Sequence, residues 1–350
     1  MRLLVTLRGL GRRLILAQPL ALVVGSMVRR VLYLLREEMA TAALRAREKA
    51  ERKERRKRGP AHEALQADDD DGDEGRATPD TALPSLRGVM AESHDLDVSE
   101  LPVGHDWKGL RKRMTEAIVD LRGELDNVNE PIARLSVEYI HAREMVLVYG
   151  LSKAVEAFFV SAHENRLPHF EVFVAETPDG YKGHEMAKKL AARGIDATVV
   201  TDSAIFGLMA RVNKVVISAH AVLANGGVLS DCGTNMVATA AKHYSVPVIC
   251  VTGLYKLCPL YPFSQDTFND LLSPGSVLDY SDMAASAYTG VAASIDMDIV
   301  SPMYDYVSPE KVDLFVTDNG SHQPSYIYRL LAEYYSPLDK LTEGVPQLDM

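Results

Sequence analysis

The chain has 350 residues, of which 47% are hydrophobic, and its 38 basic and 48 acidic residues give a formal net charge of −10. This length allows one large domain plus a smaller one, with enough apolar residues for a substantial core. Basic residues in the C-terminal part are scattered and few aromatics are interleaved with them, so we predict no direct nucleic-acid partner for the folded part.

The N-terminal segment is strongly basic, because its first 36 residues contain seven arginines and no aspartate or glutamate. Such a start is also typical of a mitochondrial transit peptide, so a mitochondrial enzyme with a cleaved leader stays open as an alternative. The apolar run at residues 14–24 contains Pro19 and is too short to span a bilayer, so we predict no membrane partner. Residues 26–58 begin with a helical apolar period and end in a charged extension, so we interpret residues 1–58 as N-terminal helices.

The middle of the chain predicts a linker followed by more helix. Residues 59–105 contain DDDDGDE and are rich in Asp, Pro, Ser and Gly without periodicity, which indicates a disordered acidic linker. Residues 106–142 predict two further helices that continue the helical domain. Pro131 suits the first turn of the second helix, and Asn129 is expected to cap it.

From residue 143 to 350 the pattern alternates between short apolar strands and helices. The strands are expected at MVLVYG, HFEVFVAE, DATVVTD, KVVIS and VPVICVT, and later at VDLFVTDNG. We predict an α/β fold in which an N-terminal helical domain is followed by a Rossmann-like, mostly parallel α/β domain. SAIFGLMARV is expected to be one helix and HAVLANGGVLSDCGT a loop, while Asp202 is interpreted as a helix cap.

The three cysteines, Cys232, Cys250 and Cys258, have no CxxC spacing. They predict neither a disulfide framework nor a zinc site, and they are typical of a reducing compartment. We expect no metal ligands in the chain and no cofactor.

Several of these segments, taken together, are similar to a known family. YGLSKAVEAF, VAETPDGYKGHEMAKKL, ARVNKVVISAHAVLANGGV, CGTNMVATAAKHYSVPVICVTGLYKLCP and PSYIYRLLAEYY resemble the translation initiation factor 2B family. The resemblance is strongest to its beta regulatory subunits, on KGHEMA, ARVNKVVI, KLCP and PSYIYRLL, and KLCP and PSYIYRLL argue against an alpha or delta subunit. It is dense from Asp106 to Tyr335, and GRRLILAQPLALVVGSMVRRVLYLLREE also resembles the family's N-terminal helices.

The resemblance implies a non-catalytic regulatory subunit of the guanine-nucleotide exchange factor for initiation factor 2, located in the cytosol. Its expected partners are the alpha, delta, gamma and epsilon subunits of that factor, and initiation factor 2, chiefly through its alpha subunit. The groove for this protein substrate is expected at Asp120, Glu124, Asn127 and Arg134. The subunit interface and a small-molecule regulatory pocket are expected at Arg143, Met145, Glu171, Phe173, Thr198 and Val200.

The same superfamily contains sugar-phosphate isomerases, such as methylthioribose-1-phosphate isomerase. They resemble this chain along KVVISAHAVLANGG and use a cysteine after the first strand and an aspartate after the fourth as an acid/base pair. The corresponding positions here carry Ser152 and His220 or a neighbour, so the resemblance implies that this pair is lost. What remains is predicted to be a vestigial anion pocket at Ser152, Asn225, Gly226 and Thr234. An aldose–ketose sugar-phosphate isomerase with a displaced acid/base pair is the alternative function.

Overall fold

The computed structural model describes residues 2–19, 21–58, 107–165, 169–177, 180–262, 269–278, 281, 298–336 and 339. The linker predicted at residues 59–105 lies outside the described residues. The chain divides into two compact units, Met1–Gly9 with Arg30–Leu121, and Leu10–Arg29 with Arg122–Met350. The second unit contains both sheets and the crevice described below.

The N-terminal residues form two helices, α1 at Arg2–Ala17 and α2 at Leu22–Arg58. Pro19 lies between the two helices. Proline has no backbone N–H to donate within a helix, so a break between helices suits it. Leu32, Leu35 and Met39 of α2 are buried, whereas Arg45 and Arg52 in its charged extension are exposed. In the part of the chain that the structure describes, no helix is both long and apolar enough to cross a membrane.

Two more helices, α3 at Trp107–Asn127 and α4 at Asn129–Tyr139, follow each other with one residue between them. The prediction that Asn129 caps α4 was wrong. Asn129 is the first residue of the helix, and Val128 precedes it in a helical conformation (φ −54°, ψ −28°) without a side-chain cap. Pro131 explains the break, because it has no N–H to donate to the carbonyl four residues earlier.

The main sheet has seven strands, β1 at Met145–Tyr149, β2 at Glu171–Ala175, β3 at Asp196–Val200, β4 at Lys214–Ser218, β7 at Val248–Val251, β9 at Leu314–Thr317 and β10 at Gly320–His322. Their order across the sheet is β10-β9-β7-β4-β1-β2-β3. All neighbours pair in parallel except β9 and β10, which are antiparallel. The order of the parallel strands is that of a doubly wound sheet, so the predicted Rossmann-like fold is confirmed.

Helices cover both faces of this sheet. They are α5 at Lys153–Glu164, α6 at Lys182–Ala192, α8 at Thr234–His243 and α9 at Ile327–Tyr334. Alternation along β1 sends Val146 and Val148 into the core under α5 and α6, and Leu147 and Tyr149 into the core under α8 and α9. The continuous apolar runs of the parallel strands are therefore explained by burial on both faces.

The prediction that HAVLANGGVLSDCGT is a loop was wrong, because this segment contains a β-hairpin. β5 at Ala221–Val222 pairs with β6 at Val228–Asp231, and β6 pairs with β8 at Tyr304–Val307 in a second, antiparallel sheet. Asn225 and Gly226 form the turn, with Gly226 at φ +81°. Apolar residues on both sides of an Asn-Gly pair are the sequence signal for such a hairpin.

The helix predicted over SAIFGLMARV is broken into three short pieces. A 3₁₀ turn at Asp202–Ala204 leads into a four-residue α-helix, α7 at Ile205–Leu208, and a second 3₁₀ turn follows at Met209–Arg211. A segment of this length is marginal as a helix, and Gly207 weakens it further.

Candidate functional site

A ligand crevice is expected where the strand order of a doubly wound sheet reverses, outside the carboxyl ends of its strands. Here that point lies between β1 and β4, because β1 pairs with β2 on one side and β4 on the other. A cavity of about 470 Å³ opens there. Its lining includes Ser152 and Lys153 after β1, Ser218 and His220 at the end of β4, and Lys256 after β7.

The cavity has a basic lining but no arrangement that suits a metal. The Lys256 ammonium donates to the carbonyl of Ala219 at 2.7 Å, and burial lowers the pKa of Lys256. Ser152 precedes α5 in an extended conformation, and its side chain makes no cap hydrogen bond. Among the described residues, no group of three or more His, Cys, Asp or Glu could hold a metal ion.

A buried ion pair lies beside the cavity, at the end of β6. The side chain of Asp231 is 8% exposed, and its Oδ1 accepts a hydrogen bond from the Lys182 ammonium at 2.8 Å. Nε2 of His220 lies 3.5 Å from the same oxygen. Burial raises the pKa of Asp231, but the hydrogen bonds and charges of His220 and Lys182 outweigh it and hold that pKa below its usual range. The carboxylate is therefore ionised and already paired.

A second polar cluster lies at the carboxyl ends of β1, β2 and β3, around the Tyr149 hydroxyl. The Tyr149 hydroxyl lies 3.0 Å from Oδ2 of Asp202 and 2.7 Å from the carbonyl oxygen of Cys232. The backbone N–H of Thr177 donates to Oδ1 of Asp202 at 3.1 Å. Burial and then the charge of Asp202 raise the pKa of Tyr149 far above its ordinary value. The interpretation of Asp202 as a helix cap was wrong, because its carboxylate holds Tyr149 and Thr177 instead.

The start of α8 is occupied by a carboxylate of the chain itself. Oδ2 of Asp305, on β8, accepts hydrogen bonds from the backbone N–H groups of Gly233 at 2.8 Å and Asn235 at 3.1 Å. These amides are the groups that a helix start offers to a bound anion. Lys311 lies nearby and donates from Nζ to the side-chain oxygen of Asn235 at 2.7 Å.

The four residues of the predicted anion pocket lie at different places. Ser152 lines the cavity, whereas the other three are not among its lining residues. Asn225 donates from Nδ2 to the Tyr306 hydroxyl at 2.7 Å and, with Gly226, forms the β5–β6 turn. Thr234 is buried and donates to the carbonyl of Asp231 at 2.6 Å. Only Ser152 of the four lines the cavity, and a pocket built on all four residues stays a prediction.

The residues predicted for the substrate groove are all exposed on α3 and α4: Asp120, Glu124, Asn127 and Arg134. Arg134 pairs with Glu130 one turn earlier, with 2.6 Å between Nη2 and Oε1. Asn127 donates from Nδ2 to the carbonyl of Gly123 at 3.0 Å. Their exposure is compatible with binding a protein substrate, and the substrate groove at these four residues stays a prediction.

The six residues predicted for the subunit interface lie on three neighbouring strands or just before them: Arg143, Met145, Glu171, Phe173, Thr198 and Val200. The strand register brings Met145 beside Glu171, and Phe173 beside Thr198. Glu171 and Thr198 are exposed, but Phe173 is only 7% exposed and belongs to the core. An interface role for Phe173 stays a prediction, and in this chain its side chain packs in the core beneath the sheet.

Sequence reasoning missed the polar residues around the crevice, chiefly Tyr149, Lys182, Asp231 and Asp305. Asp231 is the last residue of β6, in the segment that we expected to be a loop. A recognised Asn-Gly hairpin would have revealed it as an acid at the end of a buried strand. Nothing in the local pattern links Asp305 to Gly233, because 72 residues separate them.

Comparisons with known proteins agree with the resemblance seen in the motifs. Residues 2–324 match the model of the initiation factor 2 subunit family. The chain is 42% identical over 338 residues to translation initiation factor eIF2B subunit beta of Dictyostelium discoideum, covering 95% of this chain and 84% of that relative. Its fold is similar to the crystal structure of eIF2B beta from Chaetomium thermophilum, with a TM-score of 0.63, 25% identity and coverage of 97% and 81% of the two chains. It is also similar to a chain of the tetrameric eIF2B-beta2-delta2 complex of that organism, with a TM-score of 0.60, 25% identity and coverage of 95% and 81%.

Proposed function

Since the chain belongs to the initiation factor 2 subunit family, within its group of eIF2B beta subunits, we propose that it is a regulatory subunit of the factor that exchanges guanine nucleotide on initiation factor 2. The observation that carries this proposal is the 42% identity to an eIF2B beta subunit over 95% of the chain. We propose further that the chain helps to hold the alpha, delta, gamma and epsilon subunits together in the cytosol. In this complex it binds initiation factor 2 but catalyses no reaction itself.

The state of the polar groups around the crevice supports a non-catalytic role. General acid–base catalysis works best when the pKa of the catalytic group lies near the operating pH. The pKa of Asp231 is lowered by its partners, and that of Tyr149 is raised far above its ordinary value. Burial raises the pKa of Cys250 to about 12 and also raises that of Cys258, so neither thiol is suited to replace the cysteine of the related isomerases.

The partner surface that we propose lies at the β3 edge of the main sheet. Among the described strands, β3 pairs only with β2, and natural proteins rarely leave such an edge uncovered. Val199 on β3 is 45% exposed, and Phe206 on α7 is 52% exposed. The Phe206 ring lies 5.2 Å from that of His243 and 5.3 Å from that of Tyr244. We call Phe206, His243 and Tyr244 the aromatic patch.

The occupant that we propose for this edge is the α/β domain of a related subunit, the delta subunit. A solved relative of this chain occurs in a beta2-delta2 complex, and an exposed apolar patch marks a protein interface. Thr198 and Val200, on the same strand, belong to the interface that the motifs implied. Arg143 and Glu171 at the other end of the strands are proposed as contacts of the small-molecule regulatory pocket.

We further propose that the exposed faces of α3 and α4 receive the alpha subunit of initiation factor 2. Asp120, Glu124, Asn127 and Arg134 offer charged and amide groups there. A phosphate added to that substrate would change the balance of charge at its binding surfaces. If binding differs between the two forms, the subunit relays the phosphorylation state to the rest of the factor as a coupling free energy.

The test of the function compares two activities. The assembled factor is assayed for release of labelled GDP from initiation factor 2, and the chain alone is assayed for isomerisation of ribose phosphates. We expect exchange by the assembled factor and no turnover of sugar phosphates by the chain. Isomerase activity that survives purification of the chain would overturn the proposal in favour of the enzyme alternative.

The test of the partner surface uses Phe206→Asp, with Tyr328→Asp as its control. Tyr328 on α9 is 68% exposed, so both changes put a carboxylate in place of an exposed ring. A buried interface aromatic is worth about 2 kcal/mol or more, so Phe206→Asp should weaken binding of the delta subunit by about 30-fold. Equal effects of the two substitutions, or no effect of either, would contradict this placement of the interface.

A further inference from the structure

The end of α2 carries an excess of positive charge that the proposed function does not use. Residues 45–58 contain nine basic and three acidic residues, which is an excess of six positive charges. The remaining two residues are alanines, so this stretch has no aromatic or large aliphatic side chain. It therefore lacks the apolar face by which a helix packs on a core or lies in a membrane interface.

The helical period assigns five of the nine basic positions to one side of α2. α2 continues without interruption to Arg58, so the period of 3.6 residues per turn applies to the whole extension. By this period five positions share one face within roughly 100° of arc. We call them the basic stripe, and they are Arg45, Lys49, Arg52, Lys53 and Arg56. The three glutamates, at positions 48, 51 and 54, fall off that face.

We propose that the basic stripe binds the phosphodiester backbone of a nucleic acid without reading its sequence. The stripe spans 11 helical steps, or about 16 Å at the rise of an α-helix. One nucleic-acid strand presents a phosphate about every 3.4 Å along the duplex axis, so about five phosphates match the five cations. This site departs from our expectation of no nucleic-acid partner, which rested on the C-terminal part of the chain.

Two other occupants fit the extension less well. An anionic membrane surface would hold the charges, but an interfacial helix also needs apolar residues to insert, and the stretch has none. The core of a protein interface needs aromatic or apolar anchors, which are absent for the same reason. A regular array of anions is the chemistry that suits the basic stripe, and a phosphodiester backbone provides one.

The simplest competing explanation is a solvated helix held together by its own charges. Each glutamate has an arginine four residues later, an arrangement that supports an isolated helix. This accounts for three of the nine basic residues, Arg52, Arg55 and Arg58. It explains neither the excess of six charges nor the gathering of five basic positions on one face.

The test compares two variants with the same loss of charge. The stripe variant is Arg45→Gln, Arg52→Gln and Arg56→Gln, and the matched control is Arg47→Gln, Arg55→Gln and Arg58→Gln. Glutamine is a good helix former, and circular dichroism checks that helix content is kept. The full chain, isolated with the proteins that bind it, is titrated into fluorescently labelled single-stranded RNA, duplex RNA and duplex DNA, and binding is followed by anisotropy over a range of salt.

The wild-type chain should bind single-stranded RNA with a slope of log K against log salt of about −3.5, from five contacts at about 0.7 each. The stripe variant should reduce the steepness of that slope by about 2, and the control should change it little. The duplex arms identify whether RNA or DNA geometry is preferred. No binding by the wild type at low salt, equal losses in both variants, or tighter binding to anionic vesicles than to RNA would each overturn the proposal. None of these readouts depends on the exchange-factor function.

Discussion

Replacing Lys182 by methionine should lower the free energy of unfolding by about 2 kcal/mol. Lys182 is the closest cation to the buried Asp231 carboxylate, and their atoms are 2.8 Å apart. Hydrogen bonds to charged groups contribute about 1.5–3 kcal/mol, and breaking a fully buried pair costs about 3–5 kcal/mol. The Lys182 side chain is 35% exposed, so water reaches the pair and the effect should fall near the lower of these ranges.

The assay is urea unfolding of the full chain at neutral pH, with Lys182→Met, Asp231→Asn and the double variant forming a cycle. The coupling energy between the two sites should be about 1.5–2 kcal/mol. Each single variant leaves one charge without its partner, whereas the double variant removes both charges. A coupling energy below about 0.5 kcal/mol would refute the claim that Lys182 forms a hydrogen-bonded ion pair with the buried Asp231 carboxylate.

The effect of Lys182→Met should also depend on pH. The pKa of Asp231 is lowered in the folded chain, so its contribution to stability is present above the ordinary aspartate pKa of about 3.9. That contribution is lost as the pH falls through the lower, folded pKa. The difference in stability between wild type and variant should therefore be complete at neutral pH and shrink below about pH 4. An unchanged difference in strong acid would mean that methionine disturbs packing rather than charge.

Two further positions test the other contacts around the crevice by urea unfolding. Asp305→Ala leaves the amides of Gly233 and Asn235 without their acceptor and should lower the free energy of unfolding by about 1–2 kcal/mol. Asp305→Asn keeps an acceptor and should lower it by less. Equal losses for the two variants would mean that the presence of an acceptor at this position does not matter. Gly233→Ala should cost clearly more than Gly320→Ala, because both glycines have positive φ (+99° and +107°), but only at Gly233 would a Cβ collide with the Tyr149 hydroxyl. Gly320→Ala should show the backbone strain alone, about 1–2 kcal/mol, and equal costs at the two glycines would contradict the position of Tyr149.

The parallel sheet could be predicted because its information is local. Each strand is a short apolar run, and burial on both faces leaves little else that such runs can form. The β5–β6 hairpin carried an equally local signal at Asn225-Gly226, but we interpreted the whole segment around this turn as a loop and missed its two strands. The segment SAIFGLMARV shows where local information is insufficient. Ten residues that include Gly207 are too few for helix propensity alone to fix a continuous helix.

The content of the crevice could not be predicted, because its contacts join residues far apart in sequence. Asp231 meets Lys182 across 49 positions, and Asp305 meets Gly233 across 72. Tyr149 belongs to a strand pattern in which it looks like any other buried apolar residue. Only the fold places its hydroxyl beside Asp202, where the two side chains are hydrogen-bonded to each other.

The measurement that tests the central claim most directly is purification of the tagged, full-length chain from its own cells, with quantitative mass spectrometry of the proteins that elute with it. The account predicts four other proteins in stoichiometric amounts, the alpha, delta, gamma and epsilon subunits, together with initiation factor 2. Recovery of the chain alone, or only as a homodimer, would contradict it and would favour the isomerase alternative.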